Sequence, residues 1–127
     1  PGNLLQRIQL IKGWYESGVL KEKVIEVAGG DRNAGVDINT CQTSGEGYEQ
    51  LCSVWQDPDF DKANPAFYYI RVLENPSCRW SQMICAKFSV RCDDLSSIPE
   101  ELNACCSEEH KPIIQERAWS SPIWFNP

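Results

Sequence analysis

The sequence predicts a mainly β domain: a small antiparallel β-sandwich, immunoglobulin-like or incomplete, with long disulfide-stapled loops and at most one or two short helices. Three observations carry that expectation. Apolar runs are short, rich in β-branched and aromatic residues, and separated by stretches of Gly, Pro, Asn and Asp, the alternation of strands and turns in such folds. One run, residues 66–73 (AFYYIRVL), is largely apolar on both alternating faces, the pattern of a central strand covered above and below. Seven cysteines stand in a chain of 127 residues, several of them in polar stretches, as in domains whose loops are tied down by crosslinks.

Taken in order, residues 4–14 (LLQRIQLIKGW) open the series. Leu4, Ile8 and Ile11 fit helical spacing, but Ile8 and Leu10 alternate with Arg7 and Gln9, and Gly13 precedes Trp14, which favours a strand. Glu16-Ser17-Gly18 is a turn signal. Residues 23–28 (KVIEVA), closed by Gly29-Gly30, form the second strand of a hairpin whose connection lies within residues 15–22. Residues 31–50 have no sustained period and read as a long surface loop. Gly29-Gly30-Asp31 and Gly45-Glu46-Gly47 are turns there, without the strand–helix context of a phosphate loop.

Residues 51–56 (LCSVWQ) are short and strand-like, residues 57–65 (DPDFDKANP) form a turn region, and residues 66–73 are the strongest strand in the chain. Residues 75–107 are mixed in pattern; a short helix is expected near residues 97–101, with Ser97 as cap and Pro99 in the first turn. Residues 113–125 (IIQERAWSSPIWF) return to strand character. Pro122 has no amide proton for a ladder, so this strand bends, bulges or runs at an edge. Five or so strands fall short of the roughly seven of a full sandwich. An unpaired edge follows, and edges recruit other strands, so self-association through that edge is one partnership the chain invites.

The cysteines are Cys41, Cys52, Cys78, Cys85, Cys92, Cys105 and Cys106. No CxxC or CxxH pair occurs, so the zinc spacing is missing and disulfides are expected. Cys41 and Cys52 are eleven positions apart and Cys78 and Cys85 seven. Such spacings suit local closure, with Cys41 anchoring its loop to Cys52, each staple contributing roughly 2–3 kcal/mol. Seven is odd, which leaves one thiol free, joined to another chain or joined to a segment not in this sequence. Oxidised crosslinks imply a periplasmic or extracellular location. The chain starts Pro1-Gly2-Asn3 with no initiator Met or signal peptide, and for an exported protein this is expected of a fragment or processed product. The whole of residues 1–127 is expected to form one domain.

Formal net charge is −6. Nucleic acid needs a basic footprint and anionic membrane a polybasic one, so neither is an expected partner. The longest apolar runs are far shorter than a bilayer span.

No catalytic residue, metal or cofactor is expected in this chain. His110 is the single histidine and sits among Glu108, Glu109 and Lys111, a surface setting without acid–base or zinc partners. No GxSxG nucleophile motif occurs. A free thiol at Cys105 or Cys106 near His110 would be a nucleophile candidate, with disulfide pairing the preferred reading. Asp57, Asp59 and Asp61 stand at i, i+2 and i+4 like the start of a calcium loop. Lys62 then replaces the turn glycine and Tyr68 the bidentate glutamate, so they are weak cation candidates in what reads as an ordinary turn. Glu100/Glu101 and Glu108/Glu109 read as a solvated face. Trp14, Trp55, Trp80, Trp119 and Trp124 fill a core in most sandwiches, or present rings to a sugar.

Five features resemble one family: LLQRIQLIKGW (4–14), WQDPDFD (55–61), AFYYIRVLENPSCRW (66–80), the Cys105-Cys106 pair, and IQERAWSSPIWF (114–125). Together they resemble the C-terminal end of a large bacterial and environmental family, domain-of-unknown-function family 3604. That family is similar to metal-dependent hydrolases of the polymerase-and-histidinol-phosphatase type, with members suspected to be phosphoesterases or sulfatases. The resemblance covers essentially the whole chain. It implies a longer protein whose metal ligands lie in an N-terminal catalytic part, and none of those ligands maps onto this sequence. The expected role is therefore a non-catalytic accessory β-domain packing on that part, with Arg71, Arg79 and Arg117, together with Trp80 and Trp119, as candidate contacts to it or to an anionic substrate. The alternative is a free-standing carbohydrate- or protein-binding module using exposed tryptophans.

Overall fold

The computed structural model describes residues 2–127, and for Ser97 the backbone alone. Its strands are β1 (Leu5–Glu16), β2 (Val19–Gly29), β3 (Gly35–Val36), β4 (Thr43–Ser44), β5 (Ala66–Glu74), β6 (Ser77–Cys78), β7 (Ile113–Ile114), β8 (Arg117–Trp119) and β9 (Ile123–Phe125). Between β6 and β7 lie a short helix, α1 (Trp80–Lys87), and 3-10 turns at Leu95–Ser97 and Glu100–Cys106. The domain is mainly β, antiparallel and disulfide-stapled, consistent with the small sandwich-like class expected.

The main sheet runs β2-β1-β5, with β8 and β9 laid end to end along the far edge of β5. β1 and β2 are joined by Ser17-Gly18 alone, both with positive φ (52° and 83°). A two-residue turn of that hand matches strand twist, so the hairpin is tighter, and β2 longer, than its apolar run suggested. The expected strand over residues 113–125 is broken into β7, β8 and β9. Pro122 stands in the second break, and Ser120 takes over there: its amide donates to the Ile70 carbonyl and its hydroxyl accepts from the Ile70 amide, each 3.0 Å.

Direct cross-strand partners share a face, and the register assigns each residue to one. Leu10, Lys12 and Trp14 of β1 pair with Ile70, Tyr68 and Ala66 of β5. Residues 53–64 overlay part of this face, where Trp55 packs on Tyr68 with ring centroids 6.4 Å apart and Phe60 meets Phe125 edge-on at 4.8 Å, while Ile70 and Ile123 stay exposed. The segment expected as a strand over residues 51–56 therefore carries none; it crosses the sheet as a cover, giving Trp55 to the interior. Buried apolar residues lie on both sides of the sheet: Ala66 beneath this cover, Ile11 and Leu73 on the opposite face, and Cys85 in the lobe beyond.

That lobe gathers the β3–β4 and β6–β7 ladders, α1 and the 3-10 turns. Three disulfides hold it among the described residues: Cys41–Cys78, Cys85–Cys105 and Cys92–Cys106. The local pairings of Cys41 with Cys52 and of Cys78 with Cys85 are overturned. Cys41 ties the 31–50 loop to β6, a separation of 37 residues, and Cys52 is left free and exposed on the covering segment. Three such bonds point to an oxidising compartment. Gly45 is fixed by geometry: φ is +79° and a Cβ would stand 2.2 Å from the Asn33 carbonyl oxygen. The second 3-10 turn starts one residue after Pro99, which makes no side-chain cap; the expected Ser97 cap rests on a side chain outside those described. No described helix is long and apolar enough to cross a membrane.

Candidate functional site

Lys12 sits in the middle of β1 within an otherwise apolar run (LIKGW). Its side chain is 7% exposed and that of Asp57 9%, and the ammonium lies 2.5 Å from the carboxylate. Lys12 Nζ also donates to the Asp59 carbonyl (2.9 Å), and the Tyr68 hydroxyl donates to Asp57 Oδ2 (2.7 Å). A buried charge has to be paired and hydrogen-bonded, and this trio does both while pinning the covering segment to the sheet. Burial pushes the Asp57 carboxyl up, but the hydrogen bonds from Lys12 and Tyr68 outweigh it and hold it below the ordinary carboxylate value. Tyr68 is pushed up to about 12, by burial first and by the adjoining Asp57 carboxylate second.

Between the covering segment and the sheet lies a cleft of about 270 Å³. Asp59 reaches Lys23 at 3.2 Å, and Asp61 closes its own turn on the Ala63 amide and the Asn64 side chain. The three aspartates expected as weak cation candidates are thus engaged separately, and among the described residues no group of three or more His, Cys, Asp or Glu side chains converges on one point. Sequence reasoning missed Lys12, Lys23 and Tyr68 as their partners. The lysine inside LIKGW was the available signal, since a lysine in a central strand needs a counter-charge.

The opposite face is open at the end of Tyr15, Leu20 and Trp124, while Ile11, Gln9 and Leu73 on it are buried. Tyr15 pairs with Leu20, Ile11 with Val24 and Tyr69, and Phe67 with Gly13 and Trp124. The Phe67 ring occupies the space a Cβ at Gly13 would need (2.2 Å), which is why glycine stands there. Tyr15, Leu20, Trp119 and Trp124 are 51%, 69%, 59% and 66% exposed. A shallow apolar hollow of about 200 Å³ lies at one end, between Leu20, Phe67 and Trp124. At the other end the face turns polar: Arg71 Nε donates to Gln9 Oε1 (2.8 Å), and Gln9 Nε2 to Glu26 (2.5 Å).

The register brings Arg71, Arg117 and Trp119 onto this open face, Arg71 opposite Trp119 and Arg117 opposite Leu73. It leaves Arg79 and Trp80 apart, at the start of α1 in the lobe, where Trp80 is 76% exposed. His110 is half-buried rather than a surface residue, with Nε2 2.7 Å from Gln82 Oε1. Cys105 and Cys106 beside it are both in disulfides, so neither supplies the thiol that a nucleophile near His110 would require.

A family model described as a protein of unknown function, DUF3604, matches residues 1–127. No curated protein and no solved structure matches the chain.

Proposed function

The chain belongs to the DUF3604 family, and on that premise we propose that it is a non-catalytic accessory β-domain of an exported, hydrolase-like protein, docking through the open face of its sheet onto the catalytic body. The observation that carries this reading is the open face itself. Tyr15, Leu20, Val24, Phe67, Tyr69 and Trp124 share this face across four strands, with Glu22 standing between Leu20 and Val24 at its β2 edge. Contiguous apolar patches of more than a few hundred Å² on soluble domains mark interaction surfaces, and aromatic residues with arginine are what such surfaces concentrate. The Gln9–Glu26–Arg71 network and Arg117 supply the polar margin that fixes orientation.

The test uses Leu20→Glu with Trp124→Glu. Both side chains are exposed, so the domain keeps its fold while the patch gains two charges. Sedimentation velocity of the chain mixed with a separately produced hydrolase-like body should show a complex for the parent chain and none for the variant. Equal sedimentation of the two, with or without a complex, sinks the reading. The free edge of β2 is the alternative route to a partner, by self-association. It carries Lys21, Glu22, Lys23 and Glu26, the charges that discourage strand addition, and the same run on the chain alone reads it. A carbohydrate platform on the open face is the second reading, favoured by the exposure of Trp119 and Trp124; glycan binding lost on Trp124→Glu, without any protein complex, would replace docking by it.

A further inference from the structure

The cleft on the covered face has a composition that the docking surface does not use. Lys12, Trp14, Lys23, Asp59, Asp61 and Asn64 line it, with Tyr68 at its floor. At about 270 Å³ it falls just under the roughly 300–1,000 Å³ of pockets for drug-sized ligands, a space for one small ring. One wall is formed by the half-buried Trp14, whose ring carries the Lys12 ammonium 5.2 Å from its centroid on one side. Donors and acceptors alternate around the rest: two ammonium groups, an amide and carboxylates.

The charges decide what kind of ligand fits. Lys12 is committed to Asp57, Lys23 to Asp59, and Glu16, also in the wall, to Lys21. Lysines and carboxylates are interleaved, the carboxylates slightly in excess, so a phosphate or sulfate meets repulsion and a cation meets ammonium groups. Each paired group still has unused capacity, since a lysine has three protons and a carboxylate about four lone-pair sites. A neutral ligand bearing several hydroxyls uses that capacity without disturbing the ion pairs, and the less polar face of its ring lies on an indole. The floor is held in advance by the Lys12–Asp57–Tyr68 trio, which lowers the ordering cost of binding.

We propose that this cleft is a binding site for a neutral polyhydroxylated ligand the size of one saccharide ring, with Trp14 as the stacking surface and Asp59, Asp61, Asn64 and Lys23 as the hydrogen-bonding rim. The site lies on the face opposite the docking surface and does not depend on that reading. The experiment is a titration of the folded, oxidised chain followed by the indole N–H resonances of its five tryptophans. The probes are glucose, galactose, mannose, xylose and N-acetylglucosamine, with inorganic phosphate as the anionic comparison.

At least one sugar should move the Trp14 resonance saturably, with a dissociation constant on the order of 1 mM. Asp59→Asn should weaken binding several-fold and Trp14→Leu at least ten-fold, while Trp119→Leu on the other face leaves it unchanged. Resonance dispersion and melting temperature equal to the parent's establish that each variant is folded. Absence of a saturable Trp14 shift with every sugar overturns the proposal. So does an equal response to phosphate, or a response confined to Trp119 and Trp124.

Discussion

Asp57→Ala is the most informative single change in this domain, because it removes one half of a buried ion pair and leaves the other half in place. At 7% and 9% exposure, neither Lys12 nor Asp57 regains water when its partner goes. With charge centres about 4 Å apart and an effective dielectric of about 20, their attraction is roughly 4 kcal/mol. Breaking buried pairs by deleting one partner costs about 3–5 kcal/mol, so the two estimates agree. After the substitution Lys12 keeps the Asp59 carbonyl and Tyr68 loses its acceptor, which places the expected loss near 3–4 kcal/mol. For a chain of this length that lowers the melting temperature by about 12 °C. Urea unfolding at neutral pH, with disulfides intact, reads the loss directly, and an unchanged slope keeps the comparison two-state. The paired change Lys12→Met with Asp57→Leu removes both charges at once and should return to within about 2 kcal/mol of the parent, since replacing a buried pair by apolar residues is nearly neutral. A loss below about 1 kcal/mol for Asp57→Ala, or a paired variant no better than the single one, refutes the argument that this is a desolvated, mutually dependent pair.

The pH dependence has two limbs with opposite signs. The Asp57 carboxyl is held low in the folded chain, so its contribution is complete above the ordinary carboxylate value of about 4 and fades as acid passes the native value; the stability gap between parent and Asp57→Asn should narrow on acidification over that range and stay flat above it. Tyr68 is raised to about 12, so its contribution is complete below about 10, where unfolded tyrosine begins to ionise, and is lost on the way to 12; Tyr68→Phe should remove the latest phase of an absorbance titration of tyrosinate. Thiol titration of the native, unreduced chain should find one reactive group, absent from Cys52→Ser; none, or three, contradicts the connectivity. Replacing Cys41 and Cys78 by serine opens a loop of 37 residues and should cost about 4 kcal/mol in the chain-entropy account, read by the shift in urea midpoint.

What the sequence disclosed depended on whether the information was local. The hairpin of β1 and β2 was legible because alternation and a Ser-Gly turn lie within a few residues of one another. Crosslinking was legible from the number of cysteines and the absence of metal-ligand spacing. Their partners were not. Cys41 pairs with Cys78 because β3 is brought against β6 in the lobe, an approach that no spacing encodes, while the near neighbour Cys52 ends on the covering segment. The same limit explains residues 51–56. Strand propensity measures fit to a half-buried pleated surface rather than to a ladder, and LCSVWQ meets it as a cover, with Trp55 on Tyr68 and Val54 turned to solvent.

The strand at residues 66–74 takes this further. Its residues are apolar on both sides, which asks for cover above and below. Residues 53–64 supply the cover on the side of Ala66 and Tyr68, drawn down by Lys12 and Asp57. On the side of Phe67 and Tyr69, Ile11 is buried beside Tyr69, while Leu20, Val24 and Trp124 around it are 69%, 46% and 66% exposed. Burial contributes about 25 cal/mol per Å² of apolar surface removed from water, and a sequence that keeps leucine, valine, tyrosine and tryptophan together there keeps a surface whose favourable energy is realised only when something lies on it. That unrealised half of the strand's two-sided pattern is the ground on which we propose a protein body as its cover.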